Sequence, residues 1–415
     1  MTTMQTKQTN PDRKTDSAEP AAIQMVDVQA TSAELQAAYQ QIADTVTDVP
    51  VGGRELTAEE ARFAASQLQL TWRRFRRNKA AIVGGVIVLL YYLVALFGDF
   101  IVPYRADTRF TQYVFLPPQP IQFFDGGRFA PYINGVDSTM DENFRDVYKP
   151  NPDKKYPVQL FVRGEPYRLF GLIDTDIHLF GAPGGVVSLL GADRQGRDMF
   201  TLIILGSQIS LTVGLIGVLL SLVFGALLGV VSGYYGGWID EIIQRLIELV
   251  RSFPNIPLWM ALSAALPANW PPLQTYFFVT LILSLIGWTW LARQLRGQVL
   301  SVRRSDYVVA AKLAGASDWR IITKHLIPAS IGQIIVVATL SLPAMILAET
   351  SLSFLGLGLR PPLISWGILL QDAQNLESLA IYPWLFLPAV FMLVVILAFS
   401  FMGDGLRDAS DPYTL

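Results

Sequence analysis

"MFTLIILGSQISLTVGLIGVLLSLVFGALLGVVSGYYGGWI", Met199 to Ile239, contains no Asp, Glu, Lys or Arg. A helix that crosses a bilayer needs about 20 mostly apolar residues, so this run points to lipid as its solvent. Formal charge is equally absent from Ala80 to Gly98, Ser252 to Ala292, His325 to Ala348 and Ser378 to Gly403. Over the chain 52% of residues are hydrophobic and 16% are charged, whereas a soluble protein carries roughly a quarter charged. The run from Ser252 to Ala292 is long enough for two crossings, and Pro267, Asn269, Trp270, Pro271 and Pro272 interrupt it where a hairpin turns. The reading is a polytopic, all-α membrane protein with six spans, at about 81–102, 203–232, 241–266, 275–295, 331–355 and 381–403.

Charge near the spans orients them. Arg73, Arg74, Arg76, Arg77 and Lys79 precede the first span, and Arg293, Arg296, Arg303, Arg304, Lys312, Arg320 and Lys324 fill the connection between spans four and five. The positive-inside rule places both segments, and with six spans both termini, in the cytoplasm. Residues 1–56 are rich in Thr, Gln, Asp, Ala and Pro and lack a signal-peptide core, so they predict a disordered cytoplasmic N-terminus. Thr57 and Glu60 form a capping box, and residues 57–80, free of Gly and Pro, predict an amphipathic helix leading into the membrane. Its arginines suit anionic lipid headgroups. Residues 103–198 are then external, with acids and bases in nearly equal number. Within them "YPVQLFVRGEPYRLFGLI" reads as two strands joined by a turn at Arg163 to Pro166, a small β-containing subdomain. The core permeating region is 199–403, and 404–415 is a cytoplasmic tail.

Inside the spans, Gly225, Gly229, Gly233 and Gly237 recur at four-residue spacing, which allows two backbones in lipid to approach closely. The third span begins with Asp240, Glu241, Arg245, Glu248 and Arg251 and then meets Pro254 and Pro257, which bend it. Glu241 and Arg245 have ion-pair spacing. Arg245, Glu248 and Arg251 read either as paired charges at the inner surface or as a gate whose pairs rearrange. Glu349 follows a long uncharged run, and an intramembrane carboxylate is a candidate functional group, with helix-end capping as the plainer reading.

Catalytic chemistry finds no support. With no cysteine, disulfides, thiol catalysis and cysteine-ligated metals are excluded. His178 and His325 fall on opposite sides of the membrane, so no paired-histidine metal site is expected. No glycine is followed by lysine, so the phosphate-binding Walker loop is absent. No cofactor is expected on this chain, and no nucleic acid among its partners.

The connection between spans four and five, residues 303–330, is the most informative polar stretch. In "DYVVAAKLAGASDWRIITKHLIPAS" a short helix runs from Asp306 to Ala314, Gly315 suits a left-handed stop, Ser317 caps a second helix from Asp318, and Pro328 ends it. Trp319, Ile322 and Leu326 fall on one apolar stripe, as a docking surface or a packing surface requires.

"AAKLAGASDWRIITKHLIP" resembles the EAA loop of ABC importer permeases through Ala310, Ala311, Gly315, Ile327 and Pro328. "WRRFRRNKAA", "LLGADRQGRDMF", "GYYGGWIDEIIQRLIE", "AETSLSFLGLGLRPP" and "FMGDGLRDASDP" resemble the C-type permease subunit of dipeptide, oligopeptide and nickel importers. The resemblance spans about residues 70–102 and 188–412. It implies a type I importer bundle whose loop couples to two cytoplasmic ATPases. A homologous second permease and an external binding protein complete the assembly, with ATP and Mg used by the ATPases. Three features depart from the pattern: Val309 stands at the motif glutamate, Ala192 stands for a threonine, and the segment before 187 is long. A channel or secondary transporter working alone is the competing reading; it calls for an inverted repeat or a chain of intramembrane ionisable groups, and neither is seen. A membrane enzyme ranks below both.

Overall fold

The structure, a computed structural model, describes residues 67–142, 144–267, 269–374 and 380–410. The segment 1–56, the capping box at Thr57 and Glu60, and the tail beyond 410 lie outside the described residues.

Helix α1, Gln67–Phe75, does not run on into the membrane as expected. Asn78 adopts an extended backbone and its side chain accepts from the amide of Ala81 at 3.2 Å, opening α2, Lys79–Leu96. An Asn oxygen that satisfies a free amide at a helix start favours a new helix over continuation. A short α3, Gly98–Ile101, follows.

Helix α4, Met199–Tyr235, has 37 residues. At 1.5 Å per residue it is about 55 Å long, well beyond the about 30 Å of hydrocarbon. Then come α5, Gly237–Arg251, α6, Asn255–Ala264, and α7, Pro272–Val302. Three short helices follow: α8, Asp306–Leu313, α9, Asp318–Ile321, and α10, Ile327–Ala329. The chain ends with α11, Ile331–Phe354, α12, Trp366–Asp372, and α13, Leu387–Ser410. Among the described residues five helical stretches are long and apolar enough to cross a membrane: Lys79–Leu96, Met199–Tyr235, Pro272–Val302, Ile331–Phe354 and Pro383–Ser410.

The expected third span is instead two pieces, α5 and α6. Pro254 has no amide to donate and disfavours helical backbone at Phe253, so the bend becomes a break. Pro257 lies in the first turn of α6, where a missing donor costs nothing.

Between α3 and α4, apart from one 3-10 turn at Thr111–Tyr113, the chain is built of strands, five where the sequence suggested two. Strands β1, Gln122–Asp125, β2, Arg128–Met140, and β3, Asp146–Pro157, form an antiparallel sheet. Strands β4, Gln159–Leu169, and β5, Ile173–Gly181, form a separate hairpin. The hairpin turns at Phe170 to Leu172, with Phe170 and Gly171 at φ 55° and 70°, and not at Arg163 to Pro166. Those residues form a register shift inside β4, where the missing amide of Pro166 is tolerated. A Cβ at Gly164 would lie 2.7 Å from the His178 ring, so glycine lets the ring close against the strand. His178 is buried, with its ring nitrogens 2.5 and 2.9 Å from the carbonyl oxygens of Val102 and Glu165. It fastens the hairpin to the end of α3.

The stretch "GADRQGRD" is a buckle at the start of α4. Asp193 accepts from the amides of Gln195 and Arg197 at 2.8 Å and from the Arg197 guanidinium at 2.7 Å. Arg194 reaches Asp372, at the end of α12, at 3.0 Å. Asp198 caps α4, accepting from the Thr201 amide at 2.8 Å, the Thr201 hydroxyl at 2.7 Å and the Ser188 hydroxyl at 3.2 Å.

Burial pushes the Asp198 carboxyl up to about 6 from 3.8, against the opposing pull of these hydrogen bonds. Between those values the folded chain holds a proton that the unfolded chain releases. The contribution therefore favours the fold at low pH and is lost as pH rises through about 6, by about 3 kcal/mol for about two pKa units. Asp198→Asn keeps a capping oxygen without charge. Its thermal stability in detergent, relative to the parent chain, is expected to rise by up to about 3 kcal/mol between about pH 4 and pH 7. A difference that stays constant over that range sinks the assignment.

Candidate functional site

A cavity of about 600 Å³ lies where α4, α7 and α11 converge beside the α5–α6 break. Val218, Leu283 and Met345 supply apolar wall, and Ser221, Thr289 and Ser341 supply hydroxyl groups. Among the described residues Arg251 is the sole charged one lining it. Because helix α5 stops there, Arg251 stands at the cavity beside the break. Of the three expected gate residues it alone lines the cavity; Arg245 and Glu248 pair with each other at 2.9 Å on an exposed face. That pair replaces the expected pairing of Arg245 with Glu241.

A stronger ion pair escaped the sequence. Asp240 accepts two hydrogen bonds from Arg296, both 2.6 Å, and one from Ser232 at 2.5 Å, joining α5, α7 and α4. The partners lie 56 positions apart, so a spacing rule written for one helix does not find them.

The glycines of α4 lie against α7. A Cβ on Gly225 would meet Leu291 at 2.8 Å, one on Gly229 the Ala292 carbonyl oxygen at 2.5 Å, and one on Gly233 Val299 at 2.8 Å. Gly237 does not belong to this face: it has φ 54° at the bend into α5 and nothing within 4 Å. Its place in the spacing reflects the tight turn and not packing.

Glu349 is fully buried. Its carboxyl accepts from Ser210 of α4 at 3.1 Å and from Ser353 at 2.9 Å. Each hydroxyl in turn accepts a backbone amide at 3.1 Å, Trp366 on Ser210 and Leu359 on Ser353. A Cβ on Gly367 would stand 2.7 Å from Ser353 Cβ and from the Thr350 carbonyl oxygen, so only glycine permits the approach. The carboxyl thus ties α4, α11 and the start of α12 together, and it does not line the large cavity.

The 303–330 loop has two faces. Gly315, at φ 79°, closes α8 with the Gly315 amide on the Lys312 carbonyl and the Ala316 amide on the Ala311 carbonyl, a Schellman arrangement. Ser317 then accepts from the Arg320 amide at 3.4 Å to start α9. The helix does not end at Pro328. It widens to a π-turn over Ile322–Leu326 and passes through Pro328 in α10 to Ser330. The wider turn moves away the carbonyl that the Pro328 ring would strike and needs no amide from it. It also shifts the apolar stripe: Ile321, Ile322 and Leu326 are buried with Val230, Val299 and Val308, while Trp319 is 66% exposed. Tyr234 donates to Asp318 at 2.6 Å, and Arg303 donates to the Gly233 and Tyr234 carbonyls at 2.9 and 3.1 Å, locking the inner face to the end of α4. On the outer face Leu313 is 84% exposed. Val309 borders a hollow of about 390 Å³ also lined by Arg303, Arg304 and Lys312.

Residues 225–414 match the family described as binding-protein-dependent transport system inner membrane component, and residues 66–118 match the N-terminal TM domain of oligopeptide transport permease C. The dipeptide transport system permease protein of Lactococcus lactis subsp. cremoris is 34% identical over 361 residues, 87% of this chain and 94% of that protein. The oligopeptide transport system permease protein of Escherichia coli K12 is 39% identical over 246 residues, 59% and 79% of the two chains. The glutathione transport system permease protein of Pectobacterium atrosepticum is 29% identical over 341 residues, 82% and 89%.

Replacing Glu349 by Ala leaves the Ser210 and Ser353 hydroxyls without their buried acceptor, at about 1–3 kcal/mol each. Glu349→Gln retains an acceptor oxygen. Thermal unfolding in detergent is expected to place Glu349→Ala well below Glu349→Gln, and equal melting of Glu349→Ala and the parent chain refutes a structural role for the carboxyl.

Proposed function

The chain belongs to the binding-protein-dependent transport permease family, a multi-pass membrane component, and from that premise we propose that it forms half of the pathway of an ABC importer of di- or oligopeptides. A homologous permease supplies the other half. The relatives are named for dipeptides, oligopeptides and glutathione, which favours a peptide as cargo. The cavity suits this class: an apolar wall with scattered hydroxyls tolerates varied side chains, and Arg251 offers a charge to a carboxylate.

In this reading α5 and α6 together serve as the broken third of six spans, both termini and the 303–330 loop are cytoplasmic, and residues 103–198 face outward toward a substrate-binding protein. Two ATPases bind and hydrolyse ATP with Mg, and this chain holds neither. The observation that carries the coupling role is the two-faced loop. Its inner face is fixed to α4 and α7 by buried apolar contacts and by Arg303, and its outer face offers Leu313 and Trp319 to a partner. Val309 in place of the motif glutamate makes that contact apolar at this position.

Gly315→Val tests the coupling role. No atom lies within 4 Å of a Cβ there, so the substitution acts through the backbone, at about 1–2 kcal/mol for a left-handed residue with a side chain. The expected result is loss of ATPase co-purification and of ATP-dependent peptide uptake in vesicles, with normal membrane insertion. Normal pull-down and uptake exclude this loop as the coupling element. Orientation is checked separately with a reporter active only outside the cytoplasm: it should work fused near Gly164 and fail near Ser317, and the reverse pattern overturns the topology.

A further inference from the structure

The β4–β5 hairpin carries large apolar side chains that no described residue covers. Leu172, at the turn, is 85% exposed, and Leu160, Phe161 and Ile173 are each more than half exposed. Water is a poor solvent for such a cluster. Its position decides what covers it. The Phe170 ring packs against Phe97 at 5.5 Å between centroids, and Phe161 lies 6.2 Å from Phe100. Phe97 precedes Phe100 along the chain that leaves α2, so the turn of the hairpin points back along α2 and its base points away. His178 holds this orientation through the carbonyls of Val102 and Glu165.

Two rulers give the depth of the turn. From Lys79, beside the arginines of the leading helix, about 20 residues at 1.5 Å fill the about 30 Å hydrocarbon layer, which ends near Asp99. Asp99 in turn accepts from Gln208 of α4 at 3.4 Å. Gln208 is nine residues into α4, about 13 Å from its first residue, and the hairpin base, at Phe180, meets Phe200 near that first residue edge to face at 5.6 Å. The turn therefore lies at the level where α2 leaves the hydrocarbon, and the base lies about a dozen ångströms farther out. The exposed face of α2, with Leu89, Leu90, Leu93 and Leu96, is continuous with Phe97 and the turn. An ion pair beside the turn, Arg168 with Asp174 at 2.8 Å, neutralises its own charge, and the strand pleat sets it on the face opposite Leu169 and Ile173.

We infer that the β4–β5 hairpin is a lipid anchor, its turn seated in the interfacial layer of the bilayer beside the end of α2. Aromatic and aliphatic side chains at that level bury in the headgroup and acyl boundary as they do in interfacial helices. The anchor holds the inserted segment to the membrane surface at a fixed distance from the bundle. This inference rests on the membrane spans and stands whether or not the cargo is a peptide.

The chain has no cysteine, so single cysteines can be placed and spin-labelled without further change. Leu172→Cys at the turn, Leu90→Cys on the lipid face of α2 and Asp153→Cys on β3 all replace exposed side chains. In full-length protein in lipid nanodiscs, accessibility to oxygen and to a water-soluble nickel chelate is read by power saturation. The label at Leu172 is expected to resemble that at Leu90, with an oxygen-to-nickel ratio several-fold above that at Asp153. A ratio at Leu172 equal to that at Asp153 places the turn in water and overturns the proposal. Protection of Leu172 from both reagents overturns it as well, since a protein surface then covers the turn.

Discussion

A methyl group on Gly229 would stand 2.5 Å from the Ala292 carbonyl oxygen, and this contact between bare backbones of α4 and α7 sets the terms for the rest of the bundle. In lipid no hydrophobic force separates helix from solvent, so two helices stay together through close dispersion contacts and the polar bonds that proximity allows. The seam allows several. Asp240 reaches Arg296 only because α5 departs from an α4 already pressed on α7. Arg303, one residue past α7, finds the unsatisfied carbonyls at the end of α4 for the same reason. A wider seam removes both, and with them the base on which the 303–330 loop sits.

A second constraint concerns buried backbone that is not helical. After α11 the chain passes through residues 355–365 before α12, and the amides of Leu359 and Trp366 have no helical acceptor. Buried away from water, each amide left unsatisfied costs about 1–3 kcal/mol. Ser353 and Ser210 accept these amides and must then place their own hydroxyl protons. A carboxyl, with up to about four acceptor positions, takes both. Glu349 is thus the end of two short hydrogen-bond chains, which gives an intramembrane acid a structural reason independent of transport.

These two constraints differ in how they appear in the sequence. Glycines every fourth residue announce a close helix contact, and Gly315 followed by Ser317 announces a stop and a cap, because each signal is local and rests on the backbone of its own segment. Absence of charge likewise outlined the long helices. The break at Ser252 to Pro254 was legible as a bend, but a proline pattern does not say whether neighbouring helices repair it. The role of Glu349 depends on Ser210, which is 139 positions away, and no spacing rule reaches that far. Counting at 3.6 residues per turn sets Trp319 on one stripe with Ile322 and Leu326, whereas a π-turn over Ile322–Leu326 accompanies a stripe in which the latter two are buried and Trp319 stays exposed. The hairpin turn was misplaced because Gly164 and Pro166 are turn residues by type, whereas here Gly164 makes room for the His178 ring.

The cavity and the loop touch the same two helices, and that arrangement bears on how the proposed importer would work. Along α4 the cavity is lined as far as Leu222 and the loop is held at Tyr234, 12 residues on and about 18 Å away. Along α7 the corresponding stretch runs from Leu291 to Val299. Over these distances α4 and α7 are unbroken and joined by the glycine seam, so in the proposed importer they would move as one body with the loop. The opposite wall of the cavity is the α5–α6 joint, where Ser252 to Pro254 lack a continuous helical hydrogen-bond ladder. A rigid pair facing a joint is the geometry in which a push at the loop changes the width of the cavity, since displacement that the pair cannot absorb is taken up at the joint. Arg251, the last residue of α5, sits at that joint, so among the described residues the charge that lines the cavity stands on the side of the joint and not on the α4–α7 wall.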